Sequence, residues 1–331
     1  MKRFTRATAV VLATTLMAGG MLTGCGGSDS AADEQVILYT NADDEAVEAM
    51  KNALDANGYE GQYLLQTFGT SELGGKLLAE GSDIEADLVT MSSFYIESAQ
   101  EENEMFSYLT FDTGALEEYP AYYTPITAQE GAIIYNTEVL EENKLPVPTS
   151  IKDLADPVYK DMISVTDVQS SSTAWLLIQA LVSEYGEEGA KEILTDIYAN
   201  AGAHIEDSGS GPIKKVRAGE VAIGFGLRHQ AVADKAEGLP IDYVDPTEGN
   251  FTLTESVAVI NKGDDTNPLA MEMAECIIKN GREELLATYP IPLYEGETVD
   301  DTNKSGNPKV FSEKLTVELL EKHQALSEKC K

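Results

Sequence analysis

Short β-branched runs alternate with amphipathic stretches along most of this chain, and that alternation narrows the fold more than any other feature. Val36-Ile37-Leu38-Tyr39 has strand character. Val47, Met50 and Leu54 then recur at spacings of three and four until Asn57-Gly58, which predicts an amphipathic helix with a glycine stop. A strand over 63–67, a helix carrying Leu73, Leu77 and Leu78 as far as Gly81, and a strand over 86–91 follow. This order is that of a parallel sheet with crossover helices. The pattern resumes with strands within 126–136 and over 163–166, 221–225 and 254–260. Helices are expected from Trp175 to Tyr185, closed by Gly186, then over 187–199, and up to Arg217. After a loop region over 290–306, Leu315, Leu319 and Leu326 mark a last amphipathic helix. The fold class expected is α/β. Two blocks, 36–125 and 130–254, form a two-lobed clamp, each lobe a sheet flanked by helices with hinge strands between them.

The N-terminus has a different character. Lys2, Arg3 and Arg6 precede an apolar, acid-free stretch over 7–21, which ends at Leu22-Thr23-Gly24-Cys25 and a run of Gly and Ser. A basic start, a short apolar core and small residues describe a cleaved signal peptide, and the core is shorter than the ~20 residues of a membrane span. Of the other cysteines, Cys276 is expected as a buried free thiol and Cys330 as a loose terminal one.

The formal net charge is −34, with no acid in the basic N-terminal stretch. Such a charge argues against nucleic acid and against electrostatic binding to an anionic membrane. No nucleophile elbow, P-loop or dinucleotide fingerprint is present, and no zinc or EF-hand spacing. The chain is therefore expected not to be an enzyme and to carry no cofactor and no metal site.

Three Ser/Thr/Gly turns sit after strands and before helices: Phe68-Gly69-Thr70-Ser71, Ser170-Ser171-Ser172-Thr173 and Ser208-Gly209-Ser210-Gly211. A helix start presents free N–H groups and a partial positive charge, and glycine and hydroxyls let an anion approach. In α/β sheets such turns lie at the carboxyl ends of strands, where ligands bind. Thr70, Ser71, Ser171, Ser172, Thr173, Ser210 and Gly211 are thus expected to hold a small anion, with Ser92 at another strand end. Arg228 is a candidate bidentate grip on the anion, and His229 a donor and pH-sensitive partner. His204 and His323 read as structural. Tyr122-Tyr123 reads as aromatic filling near the hinge rather than a ferric site.

The run from Thr67 to Gly81, together with Ser172-Thr173-Ala174-Trp175, Ser208-Gly209-Ser210-Gly211-Pro212 and Gly219-Glu220-Val221-Ala222-Ile223-Gly224, resembles bacterial extracellular solute-binding proteins of ABC transporters. The similar group is the one that takes ferric iron, thiamine, sugar phosphates and 2-aminoethylphosphonate. The Leu-Thr-Gly-Cys tetrad likewise resembles a lipobox, which implies lipidation at Cys25. The resemblance implies a type II periplasmic-binding-protein clamp that presents its solute to a permease. Ferric-binding members carry adjacent tyrosines where this chain reads Gly226-Leu227-Arg228-His229-Gln230, a departure that counts against iron. Hexose-phosphate members use a His at that place, which keeps a sugar phosphate open beside a phosphonate. A secreted hydrolase on the same scaffold is a further alternative. For a zwitterion, Glu255 and Asp167 are the candidate partners of the amine, and Tyr39 a stacking platform.

The expected division is a signal peptide over 1–24 and a lipidated tether over 25–35. Lobe 1 takes 36–125 plus about 256–290, and lobe 2 takes 126–255 plus about 291–331. The expected partners are a small anionic or zwitterionic solute, an ABC permease, and the outer face of the cell membrane through the lipid. No nucleic-acid partner is expected, and the protein is expected to act as a monomer.

Overall fold

The computed structural model describes residues 35–331. The expected signal peptide, Cys25 and nearly all of the expected tether lie outside the described residues. The chain begins β1 (Val36–Thr40), α1 (Asp44–Ala56), β2 (Tyr63–Thr67), α2 (Thr70–Glu80), β3 (Leu88–Ser92) and α3 (Ser93–Asn103). It continues with β4 (Thr124–Asn136), α4 (Thr137–Asn143), β5 (Ile163–Thr166), α5 (Thr173–Ala201), β6 (Ile205–Glu206), α6 (Gly211–Arg217), β7 (Ile223–Leu227) and α7 (Arg228–Ala236). It ends with β8 (Ile241–Val244), β9 (Asn250–Val259), α8 (Pro268–Thr288), β10 (Pro308–Lys309) and α9 (Val317–Glu328).

The sheet order is β2-β1-β3-β9-β4-β7-β5-β6, with β8 beside β4 and β10 beside β9. β1 pairs in parallel with both β2 and β3, and β5 in parallel with both β7 and β6. The crossovers expected from the alternating pattern account for these parallel pairs. β4 is the longest strand and serves both halves: Thr124 to Glu130 pair antiparallel with β9, and Gly131 to Asn136 with β7 and β8. The change of partner occurs at Gly131, where a Cβ would meet the Phe225 ring at 2.7 Å. β3 lies antiparallel to β9 from Leu88↔Val259 to Ser92↔Glu255, so Glu255 is held against the end of β3.

Apolar faces meet as the periodicity requires. Leu38, Met50, Leu54 and Leu88 are buried with Ile277 and Leu285 of α8, and Ile163, Trp175 and Ile178 with Ile193 and Ile197. Trp175 Nε1 donates to His323 Nδ1 at 2.7 Å, which docks α9 on α5. The helix break read at Gly186 is present: its φ of 70° and ψ of 171° kink α5 between two helical stretches. α3, α4 and α7 were not anticipated. α7 starts at Arg228 itself, just past the strand, and carries no helical signal in the sequence because Arg228-His229-Gln230 offers no apolar period. Cys276 and Cys330 are both free and buried, so Cys330 is not loose: its thiol lies against the carbonyls of Lys191 and Leu326. No helix among the described residues is long and apolar enough to cross a membrane.

Candidate functional site

The three hydroxyl-rich turns converge. A cavity of about 350 Å³ is lined by Phe68, Gly69 and Thr70 from the first turn, Ser170 and Ser171 from the second, and Ser208, Gly209 and Ser210 from the third. Each turn ends a strand of the sheet and opens a helix, which is why sequence positions 140 apart share one wall. The second and third turns touch: a Cβ on Gly209 would come within 2.2 Å of Thr173 Oγ1, so only glycine permits this approach. Inside the third turn Ser208 and Ser210 hydroxyls lie 3.2 Å apart, and Gly211 N–H donates to the Ser208 carbonyl.

The helix starts that reach the cavity carry no side-chain cap. This holds for α1 at Asp43, α2 at Gly69, α5 at Ser172 and α6 at Ser210. The starts of α3 at Ser92 and α7 at Leu227 are uncapped as well, while α4, α8 and α9 are capped by Asn136, Asn267 and Thr316. The first N–H groups of α5 are already taken by the Ser171 hydroxyl and the Ser171 and Ser172 carbonyls, and that of α6 by the Ser208 carbonyl, so the first turns of α1 and α2 are the ones that leave N–H donors for an anion.

The remaining lining was not visible in the sequence. Asn41, Asp43, Asp44, Glu45 and Asp207 bring acceptors, Lys214 and Arg217 bring cations, and Gln230 brings an amide. Arg217 is engaged bidentately with Asp234 at 2.6 and 2.8 Å. Lys214 makes no ion pair among the described residues, and its charge acts on Asp43. Asp43 is nevertheless raised to about 6, by desolvation first and by Glu45 next. Gln230 is buried, and its Oε1 has no hydrogen-bond partner among the described residues.

The other expected site residues lie outside this lining. Arg228 is locked by Asp245 at 2.7 Å and by the carbonyls of Thr302, Asn303 and Lys304, so its fork holds a loop rather than a ligand. His229 packs on the Tyr289 ring at 4.7 Å, and desolvation holds it down at about 3, so the imidazole stays neutral and is no pH-sensitive partner near neutrality. Asp167 pairs with Lys331 at 2.7 Å. Tyr39 donates to Glu85 and packs on Phe68, one layer behind the cavity. Ser71 in the first turn of α2, Ser172 at the start of α5 and Gly211 at the start of α6 each adjoin a lining residue, and Thr173 in the first turn of α5 lies two residues from Ser171. Ser92 donates to Glu255 at 2.7 Å, and both are buried behind Asn41. Tyr122 stacks on Phe106 and Tyr123 donates to Glu97, away from the cavity.

Residues 89–311 match the family described as bacterial extracellular solute-binding protein. The Fe(3+)-binding periplasmic protein of Serratia marcescens is 25% identical over 230 residues, which is 67% of this chain and 65% of that protein. The first two curated relatives are matched over 43% and 65% of their own length. Among solved structures, a periplasmic thiamin binding protein superposes with a TM-score of 0.75 at 14% identity, covering 93% of this chain and 99% of that one. The periplasmic binding protein AfuA of Actinobacillus pleuropneumoniae, with fructose-6-phosphate bound, gives a TM-score of 0.69 at 21% identity over 89% and 95% of the two chains. These superpositions show that the fold is the α/β periplasmic-binding-protein fold. Matched through the turns at Ser171 and Ser210 and across both halves of the sheet, the chain belongs to the bacterial extracellular solute-binding protein family.

Proposed function

We propose that the chain is the lipid-anchored solute receptor of an ABC importer and that its solute is a small phosphonate or phosphate ester of the 2-aminoethylphosphonate kind. The observation that carries this reading is the meeting of three separate hydroxyl turns and the open helix starts of α1 and α2 at one cavity. Amide N–H groups, the Thr70, Ser171 and Ser210 hydroxyls and the unpaired Lys214 ammonium suit a phosphoryl group with several acceptor oxygens. The carboxylates of Asp43, Asp44, Glu45 and Asp207 on the same wall suit an ammonium at the other end of a zwitterion, or the hydroxyls of a sugar phosphate.

In this reading 36–125 with about 256–290, and 126–255 with about 291–331, act as two lobes that close on the solute by bending at β4 and β9. The chemistry is capture without bond making: closure excludes water and strengthens every charge-assisted hydrogen bond. Calorimetric titration with 2-aminoethylphosphonate, a hexose phosphate and inorganic phosphate tests the ligand class. One-to-one uptake of the aminophosphonate is expected, and silence toward all three ends the reading. Anchoring is checked by detergent-phase partition of the cell-expressed protein, which Cys25→Ser is expected to abolish.

Iron, bound by the Serratia relative, finds no support in the lining, which contains neither tyrosine nor histidine. A ferric titration that gives no tyrosinate band agrees with the phosphoryl reading.

A further inference from the structure

Behind the cavity wall, two buried oxygens face a shortage of donors. Glu255 Oε1 accepts from Ser92, but among the described residues Glu255 Oε2 has no hydrogen-bond partner, and neither does Asn41 Oδ1. The Asn41 side chain interacts with the Glu255 carboxyl, and its Nδ2 donates to Thr70 Oγ1 at 3.0 Å. A buried acceptor without a donor is costly, and these two interacting side chains leave one each. A single proton on Glu255 Oε2 removes both deficits, because the acid O–H then donates to Asn41 Oδ1.

We propose that Glu255 is carried as the neutral acid and, through Asn41, points the Thr70 hydroxyl proton into the ligand cavity. With Glu255 protonated, the chain of donors runs Glu255 to Asn41 to Thr70 to solute. Once Glu255 ionises, it needs a donor instead, and Asn41 supplies one by turning its amide over. Thr70 then donates back to Asn41 Oδ1 and offers the solute only lone pairs, which repel an anion. Glu255 is thus a positioning residue that acts at one remove, and the proton on it is required for full affinity.

The surroundings agree with a neutral acid. Burial raises Glu255 to about 7, against the opposing Ser92 hydrogen bond and the nearby Asn41 amide, and the Asp43 carboxylate adds to the rise. Tyr289, at the end of α8, faces it as a phenol whose own ionisation is pushed well upward. β3 and β4 face it with Ser92 and Thr127, which do not titrate. The Lys214 charge acts on Asp43, which titrates in the same range, so Asp43 must be separated from Glu255 by comparison of variants.

This inference rests on the cavity being the anion site, and the test separates the two. Affinity for 2-aminoethylphosphonate is measured by calorimetry between about pH 5.5 and about pH 8.5, above and below the raised value. Relative to Glu255→Gln, whose amide donates at every pH, wild type is expected to lose about tenfold in affinity across that range, the worth of one hydrogen bond to an anion. Thr70→Val is expected to bind more weakly and to lose the part of the pH dependence that Glu255→Gln removes. A ratio of wild type to Glu255→Gln that stays constant overturns the inference. Infrared spectra of the ligand-free protein provide a second arm: a protonated-carboxyl band is expected at low pH, absent in Glu255→Gln and displaced in Asn41→Ala. If no protein binds the aminophosphonate but the Asn41-dependent band is present, the ligand assignment fails and the relay stands. If no such band exists, the relay fails whatever binds.

Discussion

Lys214 and Arg228 show how the surroundings of a cation decide its use. Both are basic residues near the end of an anion-ready stretch, yet one faces the cavity unpaired and the other is buried and fully engaged. Lys214→Met is therefore expected to leave the melting temperature nearly unchanged and to weaken anion binding by about tenfold. Arg228→Met is expected to cost stability, about 3 kcal/mol, since it strands the half-buried Asp245 and releases three carbonyls. Chemical denaturation and calorimetry on the two variants read these opposite outcomes. If Arg228→Met lost affinity with full stability, the assignment of its guanidinium to the loop would fall.

Two contacts between elements lend themselves to test. The approach of the third turn to α5 depends on the missing Cβ of Gly209, 2.2 Å from Thr173 Oγ1. Gly209→Ala is expected to push the turns apart and reduce both affinity and melting temperature. Adding Thr173→Ala is expected to restore part of the stability, a coupling that a double-mutant cycle measures. The docking of α9 on α5 needs His323 Nδ1 as an acceptor, hence a neutral imidazole. Burial, with Lys322 next, lowers the His323 value below 6.5. The stability this contributes is present above the ordinary histidine value and is lost as the pH falls through the lowered one. Trp175 is the single tryptophan of the chain, so its fluorescence is expected to change on acidification, ahead of global unfolding.

At the scale of the whole molecule, raised carboxyls work in the other direction. Glu255 and Asp43, raised to about 7 and about 6, stabilise the fold most below their unfolded values, and that contribution fades as the pH rises through the folded ones. Melting temperature is thus expected to fall between about pH 5 and about pH 8, and to fall less in Glu255→Gln. Ligand binding is expected to stabilise the fold by mass action, about 2.7 kcal/mol at about one-hundredfold the dissociation constant, and so to raise the melting temperature. Closure of the lobes on that ligand should reduce the radius of gyration in solution scattering, and an unchanged radius would count against hinge bending at β4 and β9.

The alternation of strands and helices, the stop at Gly186 and the chemistry of the three turns were legible without coordinates, because they depend on neighbours within a few residues. Period, β-branching and glycine act locally, and a right-handed α/β crossover leaves few ways to arrange the result. The short polar helix α7, the two-residue strands and the partners of Arg228, His229 and Asp167 were not legible. Each is settled by residues distant in sequence: Asp245 and the 302–304 carbonyls for Arg228, Tyr289 for His229, Lys331 for Asp167. The same holds for Lys214, Asp43 and Gln230, whose place in the cavity wall follows from how the helices and turns of the two sheet halves face one another. Residue type by itself determined which groups are able to bind an anion. Only the tertiary structure decided which of them are left free to do so, since a charge or hydroxyl already satisfied by the fold has nothing left to offer a ligand.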